Sequence, residues 1–306
     1  MRVGVVDLGT NSTRLLVAEV DDGHVEEVAR HTQITRLGEG VDERRKLLPL
    51  PIARVRNVLA DYRRELEELG AERVLAIGTS AIRDAENGEA FLGEVEWSYG
   101  FATRLLSGSD EAQLTRRGVA NGRELGDDTL VLDVGGGSTE LITARERTSL
   151  DLGSVRLTER HIHSDPPTDD ELEAAARAVR DELPSLEPDG AIGVAGTITT
   201  LAALELGGYD PQRVHGYRLS REGVGAQLDR LASLPLAQRR ELAGLEPERA
   251  PVIVAGAVIV REVLDRYGLA GLEVSERDIL HGAALEAAAL PPAEEGDAPP
   301  GAYTCC

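Results

Sequence analysis

Two stretches of the chain follow one pattern: Val5-Val6-Asp7-Leu8-Gly9-Thr10-Asn11-Ser12-Thr13-Arg14-Leu15-Leu16-Val17-Ala18 and Val131-Leu132-Asp133-Val134-Gly135-Gly136-Gly137-Ser138-Thr139-Glu140-Leu141-Ile142-Thr143-Ala144. Each has an apolar strand, an acid at its end, a turn rich in glycine and hydroxyl side chains, and a second apolar strand. The offset is constant, 126 residues from Asp7 to Asp133. A shared acid followed by shared turn chemistry exceeds what strand periodicity requires, so we predict a duplicated unit.

The segments that follow the two hairpins also repeat. Apolar runs alternate with stretches whose apolar residues recur at helical spacing, which is typical of an α/β fold. The predicted elements are strands at 25–37, 73–78, 101–106, 148–152 and 191–195, helices at 52–69 and 169–186, and a helix that starts near Asp110.

Two such units predict two domains that face each other across a cleft. We place them at residues 1–125 and 126–290, because the stretch at 121–128 is polar and contains glycine. Residues 291–306 are acidic and rich in proline, and we predict a disordered tail there.

The charge of the chain limits its partners. Basic residues number 33 and acidic residues 54, a formal net charge of −21. Long-range repulsion therefore disfavours nucleic acid and anionic membranes as partners. A small or chain-like anion is still allowed, because backbone N–H groups in a cleft bind phosphate while the outer surface stays acidic. Such a site needs local arginine and a metal ion.

The lysine and cysteine content excludes several enzyme classes. Lys46 is the only lysine and does not follow a glycine, so the chain has no Walker A loop, and Schiff-base chemistry is disfavoured. The only cysteines, Cys305 and Cys306, rule out a disulfide framework and a thiolate zinc site. We interpret them as part of the solvated tail rather than as a prenylation signal. No apolar run approaches the roughly 20 residues that span a bilayer, and Asp7 interrupts the start, so we expect a cytoplasmic protein.

The two hairpin turns have the composition of phosphate-binding loops. Glycine permits close approach and positive φ, so that successive N–H groups and hydroxyls are presented to an anion. Two such turns suit a phosphoanhydride held on both sides of the bond to be broken. The predicted phosphate-binding residues are Gly9, Thr10, Asn11, Ser12 and Thr13 in the first turn and Gly135, Gly136, Gly137, Ser138 and Thr139 in the second.

Carboxylates stand beside both turns, where a hard divalent cation would bridge protein and phosphate oxygens. Asp7 and Asp133 each follow an apolar strand, and Glu140 lies on the second hairpin. We predict Mg²⁺ bound by these three residues. An aspartate that only receives hydrogen bonds from its own turn is the alternative, and it fits Asp7 better than Asp133.

Five segments spread in order over nearly the whole chain resemble one family. They are Asp7 to Leu16, Thr79-Ser80-Ala81-Ile82-Arg83-Asp84-Ala85-Glu86-Asn87, Leu106-Ser107-Gly108-Ser109-Asp110-Glu111-Ala112-Gln113-Leu114, Asp133 to Glu140, and Gly193-Val194-Ala195-Gly196-Thr197-Ile198-Thr199-Thr200-Leu201-Ala202. Together they resemble the exopolyphosphatase / guanosine pentaphosphate phosphatase (Ppx/GppA) family in its short two-domain form. The resemblance implies duplicated actin-like ATPase (ribonuclease H-like) domains with an interdomain cleft.

The resemblance also implies roles for single residues. Glu111 falls on the family's catalytic glutamate, which orients a water molecule in line with a terminal phosphorus and accepts its proton. A position near a helix start favours the carboxylate anion. Arg83 would bind phosphate oxygens with its guanidinium. Gly196 and Thr197 would hold a phosphate at a helix N-terminus, although a plain tight turn explains them nearly as well.

The chain departs from the family pattern in two places. It has Ala195-Gly196 where many relatives have two glycines, and Leu280-His281-Gly282 where many have Arg-Glu-Gly, which weakens the case for a substrate contact from this late helix. His161 and His163 have a metal-ligand spacing, but the Ser-Asp-Pro-Pro sequence after them favours an exposed loop.

We therefore expect a Mg²⁺-dependent phosphoanhydride hydrolase that releases orthophosphate from the end of inorganic polyphosphate. Guanosine pentaphosphate is an alternative substrate, although the chain has only nine aromatic residues with which to stack a base. A nucleotide-responsive binding module without turnover is an alternative of another class. A homodimer is a further possibility that the sequence leaves open.

Overall fold

The computed structural model describes residues 1–291 and divides the chain into two compact units. The first consists of Met1–Gly122 together with the segment that begins at Ile279, and the second is Arg123–Asp278. The predicted tail at 291–306 lies outside the described residues apart from Pro291, and so do both cysteines. Within residues 1–291, no helix is both long enough and apolar enough to span a bilayer.

The first unit is built on a five-stranded sheet in the order β3-β2-β1-β4-β5. β1 pairs antiparallel with β2 and parallel with β4, and its apolar side chains are buried on both faces of the sheet. The strands are β1 (Arg2–Leu8), β2 (Ser12–Asp21), β3 (His24–Ile34), β4 (Arg73–Gly78) and β5 (Ala102–Leu105), and the helices are α1 (Val41–Arg44), α2 (Pro49–Glu68), α3 (Ser80–Asp84), α4 (Gly88–Tyr99) and α5 (Gly108–Val119).

The second unit has a six-stranded sheet in the order β10-β11-β9-β6-β7-β8. Its apolar core packs between the sheet and the helices, with α12 buried along most of its length. The strands are β6 (Thr129–Val134), β7 (Thr139–Ile142), β8 (Arg147–Leu150), β9 (Gly190–Val194), β10 (Arg218–Ser220) and β11 (Gly271–Val274), and the helices are α6 (Ser154–His161), α7 (Asp169–Glu182), α8 (Ala195–Leu206), α9 (Pro211–Val214), α10 (Arg221–Ser233), α11 (Leu236–Arg239) and α12 (Ile253–Arg266).

The two units share one plan. In each, three antiparallel strands are followed by a strand that pairs in parallel with the first of them, β4 with β1 and β9 with β6. The repeat read from the two hairpins is therefore a repeat of whole α/β units. The predicted duplication of an α/β domain is confirmed at this level.

The end of the second predicted domain was wrong. We predicted that residues 126–290 form one domain, but α13 (Ile279–Ala287) belongs to the first unit. It packs against α5 and against β1, β2 and β4 and completes an apolar cluster there. Local sequence patterns contain the apolar face of α13 but not the sheet that covers it, which is why the assignment failed.

Candidate active site

The first turn directs its carbonyl groups into the protein. The Thr10 carbonyl accepts from Gly38 N (2.8 Å), and the Asn11 carbonyl accepts from Thr35 N (3.1 Å) and Arg36 N (2.9 Å). The backbone N–H groups of Thr10 and Asn11 donate to no acceptor within residues 1–291. A turn whose carbonyls are occupied and whose N–H groups are not is suited to an anion.

The Asn11 side chain supports the same interpretation. Asn11 is 6% exposed, and both polar atoms of its carboxamide are buried with no hydrogen-bond partner in the part of the chain that the structure describes. Buried polar groups are normally satisfied, so this amide requires a ligand or water that the protein itself does not supply.

The Thr13 side chain lies in the protein interior. It is fully buried, its Oγ1 lies 2.9 Å from Thr35 Oγ1, and the Thr13 carbonyl accepts from the Tyr62 hydroxyl (3.0 Å). Burial raises the pKa of Tyr62, so the phenol remains a hydrogen-bond donor at neutral pH. The equivalent Thr139 is also fully buried and donates to Leu152 O (2.5 Å).

The second turn repeats the arrangement of the first. The carbonyls of Gly135 and Gly136 accept from the N–H groups of the first three residues of α6 at 2.8–3.2 Å, and the Gly137 carbonyl accepts from Arg156 Nε (2.8 Å). The N–H groups of Gly136 and Gly137 donate to no acceptor within the described chain. The buried Arg156, which no local sequence pattern distinguishes, therefore fixes the conformation of this turn.

One hydrogen bond closes both turns identically. Gly9 N donates to Ser12 O and Gly135 N donates to Ser138 O, each at 3.0 Å. The duplication therefore extends to the geometry of the predicted phosphate-binding loops.

The carboxylates beside the turns differ between the units. Asp7 lies opposite Arg14 in the β1–β2 register and forms a buried ion pair with it (Nη2 to Oδ2, 2.6 Å). At the equivalent positions of the second unit, Asp133 lies opposite Glu140. These two acids are 8% and 2% exposed, and Glu140 Oε1 accepts from Ser149 Oγ (2.8 Å). Two buried acids therefore stand where the first unit has an acid and an arginine.

Glu111 and Arg83, which the resemblance singled out separately, are in contact. Glu111 lies in the first turn of α5 and is 6% exposed. Arg83, in α3, donates through Nη1 to Glu111 Oε1 and to the Leu106 carbonyl (2.9 Å). A predicted base and a predicted phosphate-binding cation therefore form one group within the first unit.

Ser107 and Asp110 cap the N-terminus of α5, the helix that carries Glu111. Asp110 N donates to Ser107 Oγ (3.2 Å) and Ser107 N donates to Asp110 Oδ2 (3.0 Å), which is a capping box. Hydrogen bonds from Ser107, and then the charge of Arg104, lower the pKa of Asp110. The start of α5 is fixed as a result.

The third predicted phosphate site lies at the start of α8. Ala195, the first residue of this helix, has φ +68°, a left-handed conformation in which glycine is favoured. The Arg249 guanidinium packs against Gly196 so closely that a Cβ there would lie 2.6 Å from Cζ. Arg249 is 8% exposed and pairs with Glu246 (3.5 Å). Sequence reasoning missed Arg249, because nothing local distinguishes it from the other arginines.

The histidine pair gives no metal site. His161 ends α6, and His163 follows it in an exposed loop. Burial, together with the charge of Arg160, lowers the pKa of His161. No group of three or more histidine, cysteine, aspartate or glutamate residues with metal-ligand geometry occurs within residues 1–291.

Comparison with known proteins gives a consistent result. Residues 16–289 match the model of the Ppx/GppA phosphatase family. The chain is 40% identical to Exopolyphosphatase 2 of Mycobacterium tuberculosis over 94% of this chain and 98% of that protein. It is 30% identical to the guanosine-5'-triphosphate,3'-diphosphate pyrophosphatase of Vibrio atlanticus over 92% of this chain and 58% of that protein.

A solved structure agrees with the sequence comparisons. The crystal structure of the Ppx/GppA family member of Aquifex aeolicus superimposes with a TM-score of 0.77 at 34% identity, covering 94% of this chain and 97% of the other. The predicted resemblance is confirmed along the sequence and in the fold.

Proposed function

The chain belongs to the Ppx/GppA phosphatase family, and we propose that it is an exopolyphosphatase, which hydrolyses the terminal phosphoanhydride bond of inorganic polyphosphate and releases orthophosphate. The similarity to Exopolyphosphatase 2 over nearly all of both chains supports this activity. Among the structural observations, the contact between Glu111 and Arg83 carries it: a carboxylate that can direct a water molecule lies beside a cation that can bind the phosphate to be attacked.

The proposed reaction is an in-line displacement. The oxygen of a water molecule that Glu111 orients forms a bond to the terminal phosphorus, and Glu111 accepts the water proton. The bond from that phosphorus to the bridging oxygen breaks, and its electron pair remains on the shortened chain. Arg83 binds a phosphate oxygen through the guanidinium that also contacts Glu111. The terminal phosphorus is thereby held close to the Glu111 carboxylate.

The turns supply charge stabilisation in this proposal. In the first unit, which also carries Glu111 and Arg83, the N–H groups of Thr10 and Asn11 bind phosphate oxygens as negative charge accumulates on them. The N–H groups of Gly136 and Gly137 form an anion site of the same kind in the second unit. Arg249 and the N-terminus of α8 provide a further anion site in the second unit. Neither contribution requires a net positive surface, in agreement with the acidic chain.

Asp133 and Glu140 fit a Mg²⁺ ion. Both are buried acids that face each other across paired strands beside an anion-binding turn. Mg²⁺ is usually held by one or two carboxylates with water and substrate phosphates completing its shell, so two acids suffice. When bound, Mg²⁺ would neutralise charge on the phosphate oxygens. We assign Asp7 to support of the first turn, because Arg14 occupies its carboxylate.

Phosphate release tests the proposal. The wild-type protein, Glu111→Gln and Glu89→Gln are incubated with polyphosphate and Mg²⁺, and orthophosphate is counted. Glu89 is an exposed acid in the first turn of α4 and serves as the matched control. We expect Glu111→Gln to lower kcat about a thousandfold with little change in KM, and Glu89→Gln to keep full activity. Wild-type activity that Glu111→Gln retains would refute the assignment of the base.

Guanosine pentaphosphate is the second candidate substrate, favoured by the similarity to the Vibrio atlanticus pyrophosphatase. Running the same assay with guanosine pentaphosphate and ATP ranks the substrates by kcat/KM. A protein that binds these compounds and releases no phosphate would be the non-catalytic module considered above. The homodimer stays an open possibility, and the cytoplasmic location stays a prediction.

A further inference from the structure

The C-terminal helix packs directly on the helix that carries Glu111. The α13–α5 contact is close enough that a Cβ at Gly282 would lie 2.7 Å from the carbonyl carbon of Leu114. Arg73, in β4, donates to the Ala288 carbonyl just beyond α13 (2.5 Å). These contacts hold α13 on the first unit, although the chain enters this helix directly from Asp278, the last residue of the second unit.

A line of charged contacts joins α13 to the first turn of α5. Arg104, in β5, donates through Nη1 to Glu286 Oε2 of α13 and through Nη2 to Asp110 Oδ1 (2.6 Å). The other carboxylate oxygen of Asp110 accepts from Ser107 N (3.0 Å) and Ser107 Oγ (2.5 Å). Asp110 is thereby oriented from two sides, by the cap of its own helix and by an arginine that α13 holds in place.

We propose that Arg104 and Glu286 are positioning residues for Glu111, so that α13 sets the geometry of the proposed water-activating carboxylate. This inference rests on the proposed function. Glu111 directly follows Asp110, and a rigid peptide unit links them at the N-terminus of α5. Neither Arg104 nor Glu286 lies in the motifs that carry the family resemblance.

The expected consequence is kinetic. Reactions that depend on the alignment of a water molecule lose up to about a hundredfold in rate when a group shifts by about 1 Å. Loss of the Arg104 contacts frees the Asp110 carboxylate to rotate, and the first turn of α5 loosens. Substrate binding through the turns and Arg83 is unaffected, because neither turn includes Arg104.

The experiment compares Arg104→Met, Glu286→Gln and the double variant with a matched control, Arg56→Met. Arg56 forms a somewhat more exposed, bidentate pair with Glu94 that joins α2 to α4 (2.6 and 2.7 Å) and does not involve α5. Initial rates over a range of polyphosphate concentrations give kcat and KM, and thermal unfolding gives Tm.

We expect Arg104→Met and Glu286→Gln each to lower kcat about tenfold or more with KM changed less than about threefold. The double variant should have the same kcat as Arg104→Met, because both substitutions break the same chain of contacts from Glu286 through Arg104 to Asp110. Arg104→Lys should restore part of kcat. Arg56→Met should match Arg104→Met in Tm while keeping wild-type kcat.

Two results would overturn the inference. The first is a kcat within twofold of wild type for both Arg104→Met and Glu286→Gln. The second is a decrease in kcat for Arg56→Met as large as that for Arg104→Met. Glu111→Gln, assayed alongside, separates the two levels of the argument. If Glu111→Gln is inactive while Arg104→Met is fully active, only the positioning role fails. If Glu111→Gln is fully active, the assignment of the base fails and the positioning role fails with it. If the wild-type protein releases no orthophosphate from polyphosphate, the proposed function fails.

Discussion

Asp7 and Arg14 face each other in the first hairpin and are joined by two hydrogen bonds to Asp7 Oδ2, from Nε at 2.9 Å and Nη2 at 2.6 Å. The second hairpin has the same register but two acids, Asp133 and Glu140. Equivalent positions of the two hairpins therefore carry different charges, an acid and an arginine in the first unit and two acids in the second. This difference decides where we expect the metal.

We predict that Asp133→Asn and Glu140→Gln raise the Mg²⁺ concentration for half-maximal phosphate release by about tenfold or more, because each removes a proposed ligand. Chelation of divalent ions should abolish wild-type activity, and added Mg²⁺ should restore it. A titration of activity against Mg²⁺ measures both effects.

Asp7→Asn is the control for the metal prediction. It removes the carboxylate that faces the largely buried Arg14, which costs about 3 kcal/mol of unfolding free energy. The Mg²⁺ requirement of the remaining folded protein should stay at the wild-type level. If Asp7→Asn raises the Mg²⁺ concentration for half-maximal phosphate release as much as Asp133→Asn does, Asp7 is a metal ligand after all.

Ala195→Gly should stabilise the protein. Ala195 has φ +68°, which costs an L-residue about 1 kcal/mol that glycine does not pay. We expect a higher urea midpoint for Ala195→Gly. Ala202→Gly, the same change in the buried middle of α8, should lower the midpoint and cost about 1 kcal/mol or more of unfolding free energy. An unchanged or lower midpoint for Ala195→Gly would contradict the strain assigned to this position.

Arg249→Met should weaken substrate binding. The guanidinium lies against Gly196 at the α8 N-terminus, and the loss of a charge-assisted contact to phosphate raises KM about tenfold. Arg240→Met, an exposed arginine in the same segment, should leave KM unchanged. Equal KM values for the two variants, with Arg249→Met lower only in Tm, would restrict Arg249 to a structural role.

The stability contribution of Glu171 should depend on pH. Backbone hydrogen bonds, first from Thr168, lower its pKa from 4.5 to about 2. A depressed folded-state pKa stabilises the fold fully above the unfolded value of 4.5, and that contribution is lost as pH falls through about 2.

Glu171→Gln should therefore have a lower Tm than wild type at pH 7. The difference in Tm between the two proteins should be smaller at pH 3. Glu182→Gln, an exposed acid at the other end of α7, should show no such convergence. A constant gap between wild type and Glu171→Gln from pH 7 to pH 3 would contradict the pKa shift.

The sequence predicted the elements that a local pattern encodes. β4 occupies 73–78 as predicted, and α5 starts at Gly108, close to the predicted Asp110. α2 begins at Pro49 instead of 52, because proline is well tolerated in a first helical turn. α7 ends at Glu182 instead of 186. Ends are set by caps and by packing, which periodicity does not contain.

The candidate site could be predicted only in part. The turns were visible because glycine, hydroxyl residues and an acid recur at a fixed offset. Arg249, Arg156 and Arg104 were not, because each acts through a partner distant in sequence, and an arginine looks the same wherever its side chain points.

By itself, the sequence determined the duplicated α/β plan, the two glycine turns and the family, since these follow from local patterns and motif order. Tertiary structure decided that Arg14 neutralises Asp7, that Arg83 contacts Glu111 and that α13 returns to the first unit. The physical reason is that ion pairs and helix packing join residues far apart in the chain, and only the folded backbone specifies which charges and which apolar faces meet.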